Sequence, residues 1–349
     1  GISPVRKDLR IQAMQIMRSN QIRWLSVLIV MGGLLLILPL HLLACFIAGF
    51  LVFELINALT PYFQKIISGE RARWVVVAFI ATLVISCLTL AIAGIADFLM
   101  EDMRNPVAFN AMVSHLLTDA QSRLSPVLLH YLPANIEELQ RSFLQWLREH
   151  IVMIQAVGKN AAHVFLTMII GMILGAIISL QQPRKGELHA PLKKELLQRM
   201  HLLGEAFRNV VFAQFQISLI NTVLSGIFLF GILPLFGIHL PLAKTLVVVT
   251  FVCGLLPVIG NLISNTLIFI VGLSLSLWVG ALVLAYLIII HKVEYFLNAR
   301  IVGSRIKAKS WEVLLAMLVF EAAFGIPGVV AAPIYYAYLK SELKEAGLI

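Results

Sequence analysis

Residues 244–291 read KTLVVVTFVCGLLPVIGNLISNTLIFIVGLSLSLWVGALVLAYLIIIH, 48 residues with Lys244 as their one charged side chain. A helix needs only about 20 apolar residues to cross a hydrocarbon core about 30 Å thick, so this run is too long for one span. It also carries its own interruption, Leu256-Pro257-Val258-Ile259-Gly260-Asn261. The proline removes a backbone donor and the glycine admits turns closed to other residues. Non-helical backbone at membrane depth survives only inside protein or beside a water-filled cavity. A second apolar run, 311–339, is broken in the same manner by Phe324-Gly325-Ile326-Pro327-Gly328. Its pieces of about 14 and 11 residues reach only ~16–21 Å, short of a full crossing. Paired interruptions of this kind point to the working part of a secondary transporter, here read as two broken or re-entrant helical hairpins.

The rest of the chain agrees. Residues 24–60, 74–100, 151–181 and 211–236 each exceed the ~18 apolar residues that suggest a span. Of 349 residues 60% are apolar and 13% charged, against roughly 45–50% and about a quarter in soluble domains. Mean hydropathy is +0.93. The expected fold class is an all-α polytopic integral membrane protein, and an ordinary soluble enzyme is excluded.

Charge gives the threading. The net charge of +9 is gathered in short stretches: 1–23, 61–73, 182–210 and 292–310. That is the pattern of the positive-inside rule with anionic headgroups nearby, so no nucleic-acid partner is expected. Residues 1–23 form a basic cytoplasmic amino-terminal segment with no cleavable signal. The first three spans occupy 24–100, with a break near Pro39. Segment 101–150 lies outside as amphipathic helices; Asn135 and Glu138 resemble a capping box, and Ile136, Leu139, Phe143 and Leu147 share a face. One span, 151–181, returns to a cytoplasmic amphipathic helix in 182–210, where Leu192, Leu196, Met200, Leu203 and Phe207 oppose Lys193, Lys194 and Arg199. The transport core is 211–339, followed by a tail, 340–349. With little to cover it in its own segment, the apolar face of 101–150 suits a homo-oligomer contact or lipid headgroups.

Acids in apolar runs are candidates by default, because a buried carboxylate must be paired or protonated. Glu321, four residues before Gly325, is the foremost for a proton or cation, or for a bond that holds the broken helix. Glu54, on one face with Asn57, lines a path or joins two helices. Glu294, beside His291 and Lys292, suits an ion pair or ion coupling. Glu312 follows a basic loop and suits its helix start, and Asp97 lies near the outer edge. Uncharged polar residues are richer. Gln214, Asn221, Thr222 and Ser225 interrupt one span, and Asn261, Ser264 and Asn265 open a half-helix after Gly260, where free N–H groups suit an anionic or hydroxyl-rich solute. Gly171, Gly175, Gly226 and Gly272 suit close helix contact. Cys45, Cys87 and Cys253 read as packing residues; no metal site, cofactor site, Walker A loop or arginine ladder is legible.

Ala213-Gln214, Asn221-Thr222, the 256–261 interruption, Glu294 through Ile301-Val302-Gly303, and Gly325-Ile326-Pro327-Gly328 through Ala332-Pro333 resemble, in order and spacing, the autoinducer-2 exporter (AI-2E) family of bacterial inner-membrane proteins. Ala213 and Ala299 depart from its commonest pattern. The resemblance implies about eight membrane segments, oligomeric assembly and secondary transport, typically outward. It implies as cargo a small polar organic solute such as autoinducer-2, or sodium–proton exchange, and no enzyme activity. The expected site lies between the two interruptions: Pro257, Gly260, Asn261 and Asn265 with Gly325, Pro327 and Gly328, near Gln214, Asn221, Thr222 and Glu321. A cation–proton antiporter and a non-transporting membrane scaffold are the alternatives.

Overall fold

A computed structural model describes residues 4–67, 69, 71–104, 106–123, 135–181, 190–255 and 259–349. Its helices are α1 (Pro4–Ile37), α2 (Leu43–Gln64), α3 (Arg71–Arg104), α4 (Pro106–Arg123), α5 (Ile136–Glu149), α6 (Ile151–Leu180), α7 (Pro191–Ile227), α8 (Ala243–Gly254), α9 (Ile259–Leu275), α10 (Leu277–Arg305), α11 (Ser310–Phe324) and α12 (Ile326–Glu345). A π turn at Phe228–Ile232 and the short piece Leu233–Leu235 prolong α7. No strand occurs among the described residues. Six helical stretches among them are long and apolar enough to cross a bilayer: Ser19–Ile37, Leu43–Gln64, Arg71–Leu90, Ile151–Leu180, Pro191–Leu235 and Leu277–Arg305. The chain is an all-helical, multi-pass membrane protein.

The helices fall into two compact units. The first comprises residues 1–80, 164–211 and 302–349; the second, 81–163 and 212–301. The run 244–291 belongs to the second unit and the run 311–339 to the first.

In the first unit, sequence spacing dictates which faces meet. On α2, Ala48, Val52, Ile56 and Thr60 recur every fourth residue and are buried, while Leu51 and Leu55 on the other side stay exposed. That is a protein-facing stripe and an apolar outer face suited to lipid. Opposite it, α6 buries Thr167, Gly171, Gly175 and Ser179. A Cβ on Gly171 would sit 2.1 Å from the Cys45 carbonyl oxygen, and one on Gly175 2.1 Å from that of Gly49. Backbone touches backbone there, as small-residue stripes allow between membrane helices. At the start, α1 ends at Ile37 and the chain turns through Pro39, held by Leu42 N donating to Ile37 O at 2.9 Å.

In the second unit a continuous apolar core is formed by Phe228, Leu229, Leu233, Leu246, Ile268, Val279, Val283, Leu287 and Ile290. Phe228 and Tyr286 stack with ring centroids 3.7 Å apart. The α9–α10 turn is tight, because a Cβ on Gly272 would lie 2.9 Å from Val283 and one on Gly280 2.9 Å from Leu273. Ser276 marks the corner, its hydroxyl accepting from Val279 N at 3.1 Å, and Asp119 of α4 accepts from Leu277 N at 2.9 Å.

Four expectations change. Residues 191–227 form one unbroken helix, so the amphipathic 182–210 segment is no separate element from the span that follows. The run 244–291 yields three helical pieces, one ending at Gly254, the next starting at Ile259 and turning again at Ser276, because two glycines and a serine cap make that further corner. The 311–339 run yields pieces of 15 and 20 residues; α12 continues into the polar tail, where its last turns gain ion pairs. Gly226 has nothing within 4 Å of an added Cβ, so it mediates no close contact among the described residues, unlike Gly171, Gly175 and Gly272.

Candidate functional site

The polar residues of α7 cluster on its inner face in the second unit. Gln214 Nε2 donates to the Gly254 carbonyl at 2.8 Å, and Ser218 Oγ donates to the Phe251 carbonyl at 2.6 Å. Both carbonyls belong to the last turn of α8, whose C=O groups have no intrahelical partner. Gln214 and Ser218 thus close the open end of a broken helix. Thr222 spends its hydroxyl on Ser218 O of its own helix at 2.7 Å. The α8–α9 hairpin closes tightly beyond that point: a Cβ on Gly260 would lie 1.6 Å from the Cys253 carbonyl oxygen.

Beside this seam runs a relay of carboxamides. Asn221 Nδ2 donates to Asn261 Oδ1 at 3.0 Å, and Asn261 Nδ2 donates to Glu294 Oε2 at 3.2 Å. In this arrangement the carboxylate accepts, and the Asn221 carbonyl oxygen at the far end of the relay has no partner among the described residues. Three helices each contribute a pair four residues apart: Asn221 and Ser225 on α7, Asn261 and Asn265 on α9, Glu294 and Asn298 on α10. Asn221, Ser225 and Glu294 are 2%, 1% and 4% exposed. Asn221 Oδ1, Asn265 Oδ1, Asn298 Oδ1, Glu294 Oε1 and Ser225 Oγ are buried with no hydrogen-bond partner among the described residues. A polar group left so costs about 1–3 kcal/mol, more when charged. The inner stripe of α10 passes from Val283, Leu287 and Ile290 to Glu294 and Asn298, so the unit's interior is apolar at one end and oxygen-lined at the other.

The remaining described candidates belong to the first unit. Pro257 lies outside the described residues, as does the side chain of Asp97. Gly325, Pro327 and Gly328 form the α11–α12 turn in the first unit. Gly325 has φ 66°, and a Cβ on Gly328 would sit 2.0 Å from the Phe320 carbonyl oxygen. Glu321 is exposed there, and its carboxylate has no hydrogen bond or ion pair among the described residues, against the buried role expected of it. Glu54 lies 3.5 Å from Arg208 and joins α2 to α7. Glu294 makes no ion pair with Lys292 or His291; its described partner is Asn261. Glu312 reaches beyond its own helix to accept from Tyr336 Oη and Lys340 Nζ, each at 2.6 Å, bracing α11 on α12.

One feature of the first unit was misread from sequence. Arg199, placed on a solvated face by its spacing, is 1% exposed while Met200 beside it lies outward. Its guanidinium sits 2.8 Å from Glu342, 3.5 Å from Glu195 and 3.7 Å from Glu345. Burial pushes the Glu342 carboxyl above its usual range, and Tyr338 and Arg199 pull it back. The signal was present in Glu342 and Glu345, three apart at the end of an apolar helix, but their partner lies over 140 residues away.

Six helices long and apolar enough to cross a bilayer, a broken helix sealed by side chains and a buried oxygen cluster define an all-helical membrane protein with a polar interior. The sequence profile of the AI-2E family transporters matches residues 24–346, and the chain belongs to that family. It is also 26% identical over 184 residues to YdbI of Bacillus subtilis (strain 168), whose name proposes a transport role. That match covers 49% of this chain and 50% of YdbI, so the chain spans about half the length of the curated relative it matches.

Proposed function

We propose that this transporter carries a small, hydroxyl-rich organic solute outward across the bacterial inner membrane, its amino terminus in the cytoplasm. The observation that carries the reading is the oxygen cluster of the second unit. Its unspent atoms are four carboxamide or carboxylate oxygens and one hydroxyl, so the fitting ligand brings donors. A polyol such as the furanone-derived autoinducer-2 supplies hydroxyls; an anion supplies none. Membrane depth strengthens each bond, since the alternative partner, water, is scarce there. Glu294 is the carboxylate best placed to exchange a proton or sodium ion, because Glu54 already faces Arg208 and Glu321 is exposed.

Counterflow in proteoliposomes tests this. Asn261→Ala and Asn265→Ala should each lower flux of the polyol while the protein remains folded. Flux unchanged in both variants removes the cluster from the transport path. Assembly is a separate proposal: Phe143 and Trp146 stack on one another with centroids 6.3 Å apart and stay exposed on α5, a face suited to a second copy. Charged substitutions at Phe143 and Leu147 should dissociate a homo-oligomer in mild detergent; an unchanged native mass rejects that contact.

A further inference from the structure

Two cavities of the first unit adjoin at Lys307 and Lys344. The smaller, about 250 Å³, is polar and is lined also by Asn209, Arg305, Ser341 and Glu205. The larger, about 750 Å³, is apolar along Trp311, Leu315, Val319 and Phe320. Lys307 and Lys344 against the one acid, Glu205, give the small cavity a positive character. Lys340, at the edge of the larger, is already held by Glu312 at 2.6 Å. We propose that this is a site for one anionic phospholipid, its phosphate between Lys307 and Lys344 and an acyl chain along α11 and α12.

The turn that presents Lys307 supports the assignment independently. After α10 the chain closes with Ala308 N donating to Gly303 O at 2.7 Å, the six-to-one bond of a helix end whose next residue is left-handed. Lys307 occupies that left-handed position at φ 54°, where glycine is the unstrained choice. A Cβ on Gly303 would lie 2.8 Å from Ala308 O, so the turn has no slack to relieve it. At the junction of a cationic and an apolar cavity, the strained position offers the Lys307 ammonium to a headgroup. Charge complementarity selects the headgroup, and the adjoining apolar groove selects a lipid over a free anion, which would leave that groove uncovered. The bilayer supplies such lipids at the surface where basic clusters gather. A role of Lys307 confined to the helix dipole predicts a change in stability without lipid preference.

Trp311, 60% exposed in the groove, supplies the readout. The full chain, purified in detergent, is titrated with brominated phosphatidylglycerol and with brominated phosphatidylcholine while tryptophan quenching is followed. Phosphatidylglycerol should reach half-quenching at about tenfold lower mole fraction, given the attraction of each basic residue for an anionic lipid. The preference should vanish in Lys307→Gln/Lys344→Gln and return in Lys307→Arg/Lys344→Arg. In Trp311→Phe the saturable component should be lost, which locates it in the groove. Both lysines are exposed, so circular dichroism of the glutamine variant should match the parent. Equal quenching by the two lipids, or a preference that survives the glutamine variant, overturns the proposal. A thermal shift by glycerol 3-phosphate as large as that by phosphatidylglycerol marks a free-anion site and overturns the lipid.

Discussion

At the α8–α9 turn an added Cβ on Gly260 would meet the Cys253 carbonyl at 1.6 Å; at the α11–α12 turn one on Gly328 would meet the Phe320 carbonyl at 2.0 Å. Each hairpin brings a glycine in the first turn of its second helix against a carbonyl of its first. What surrounds them differs. The α8–α9 hairpin has its open carbonyls closed by Gln214 and Ser218 of α7 and faces Asn221, Asn261 and Glu294. The α11–α12 hairpin is exposed at its tip and is braced instead at its far end, by Glu312 with Tyr336 and Lys340 and by Arg199 with Glu342. One backbone device therefore serves two purposes. At one hairpin the polar groups stand at the turn, where the proposed solute site lies; at the other they stand at the far end and hold it to its unit.

The largest effects should come from the shared device. Gly260→Ala and Gly328→Ala each force backbone atoms apart, and both should abolish a monodisperse folded peak in detergent chromatography. Gly226→Ala, with open space around it, should instead gain about 0.5–1 kcal/mol from the loss of glycine's unfolded-state freedom. A folded Gly260→Ala protein of parental stability would break the comparison at its base.

Next comes the far-end brace. Arg199→Met leaves Glu342 buried without its partner and should cost about 3–5 kcal/mol in reversible unfolding, the range for a broken buried pair. A cost near zero would show that the α11–α12 hairpin does not depend on that end.

The functional contrast is smaller in energy but sharper in kind. Glu294→Gln should lower solute flux by about tenfold or more, the loss expected for one hydrogen bond to a charged group, whereas Glu321→Gln should match the parent. The reverse ranking would move the working site to the other hairpin. The smallest effect belongs to Glu312→Gln, which weakens a surface brace: a slight drop in unfolding midpoint is expected, with flux retained.

Membrane class, helical content and both interruptions were legible in the sequence, because a bilayer reads only run length, charge and local backbone chemistry. Pro39, the 256–261 and 324–328 motifs and the Asn135–Glu138 cap, where Glu138 N donates to Asn135 at 2.9 Å, are local signals that needed no fold to interpret. The glycine stripe of α6 was legible for the same reason. The carboxamide relay was legible only as its separate members, since Asn221, Asn261 and Glu294 meet across 33 to 40 residues of chain. Helical spacing says which side chains share a face; it does not say which face is buried. So Glu321, in an apolar run, proved exposed, and Arg199, in a polar one, proved buried. Burial and partner are properties of the packed helices, and tertiary structure alone decided which carboxylate stands among unspent oxygens and which faces out.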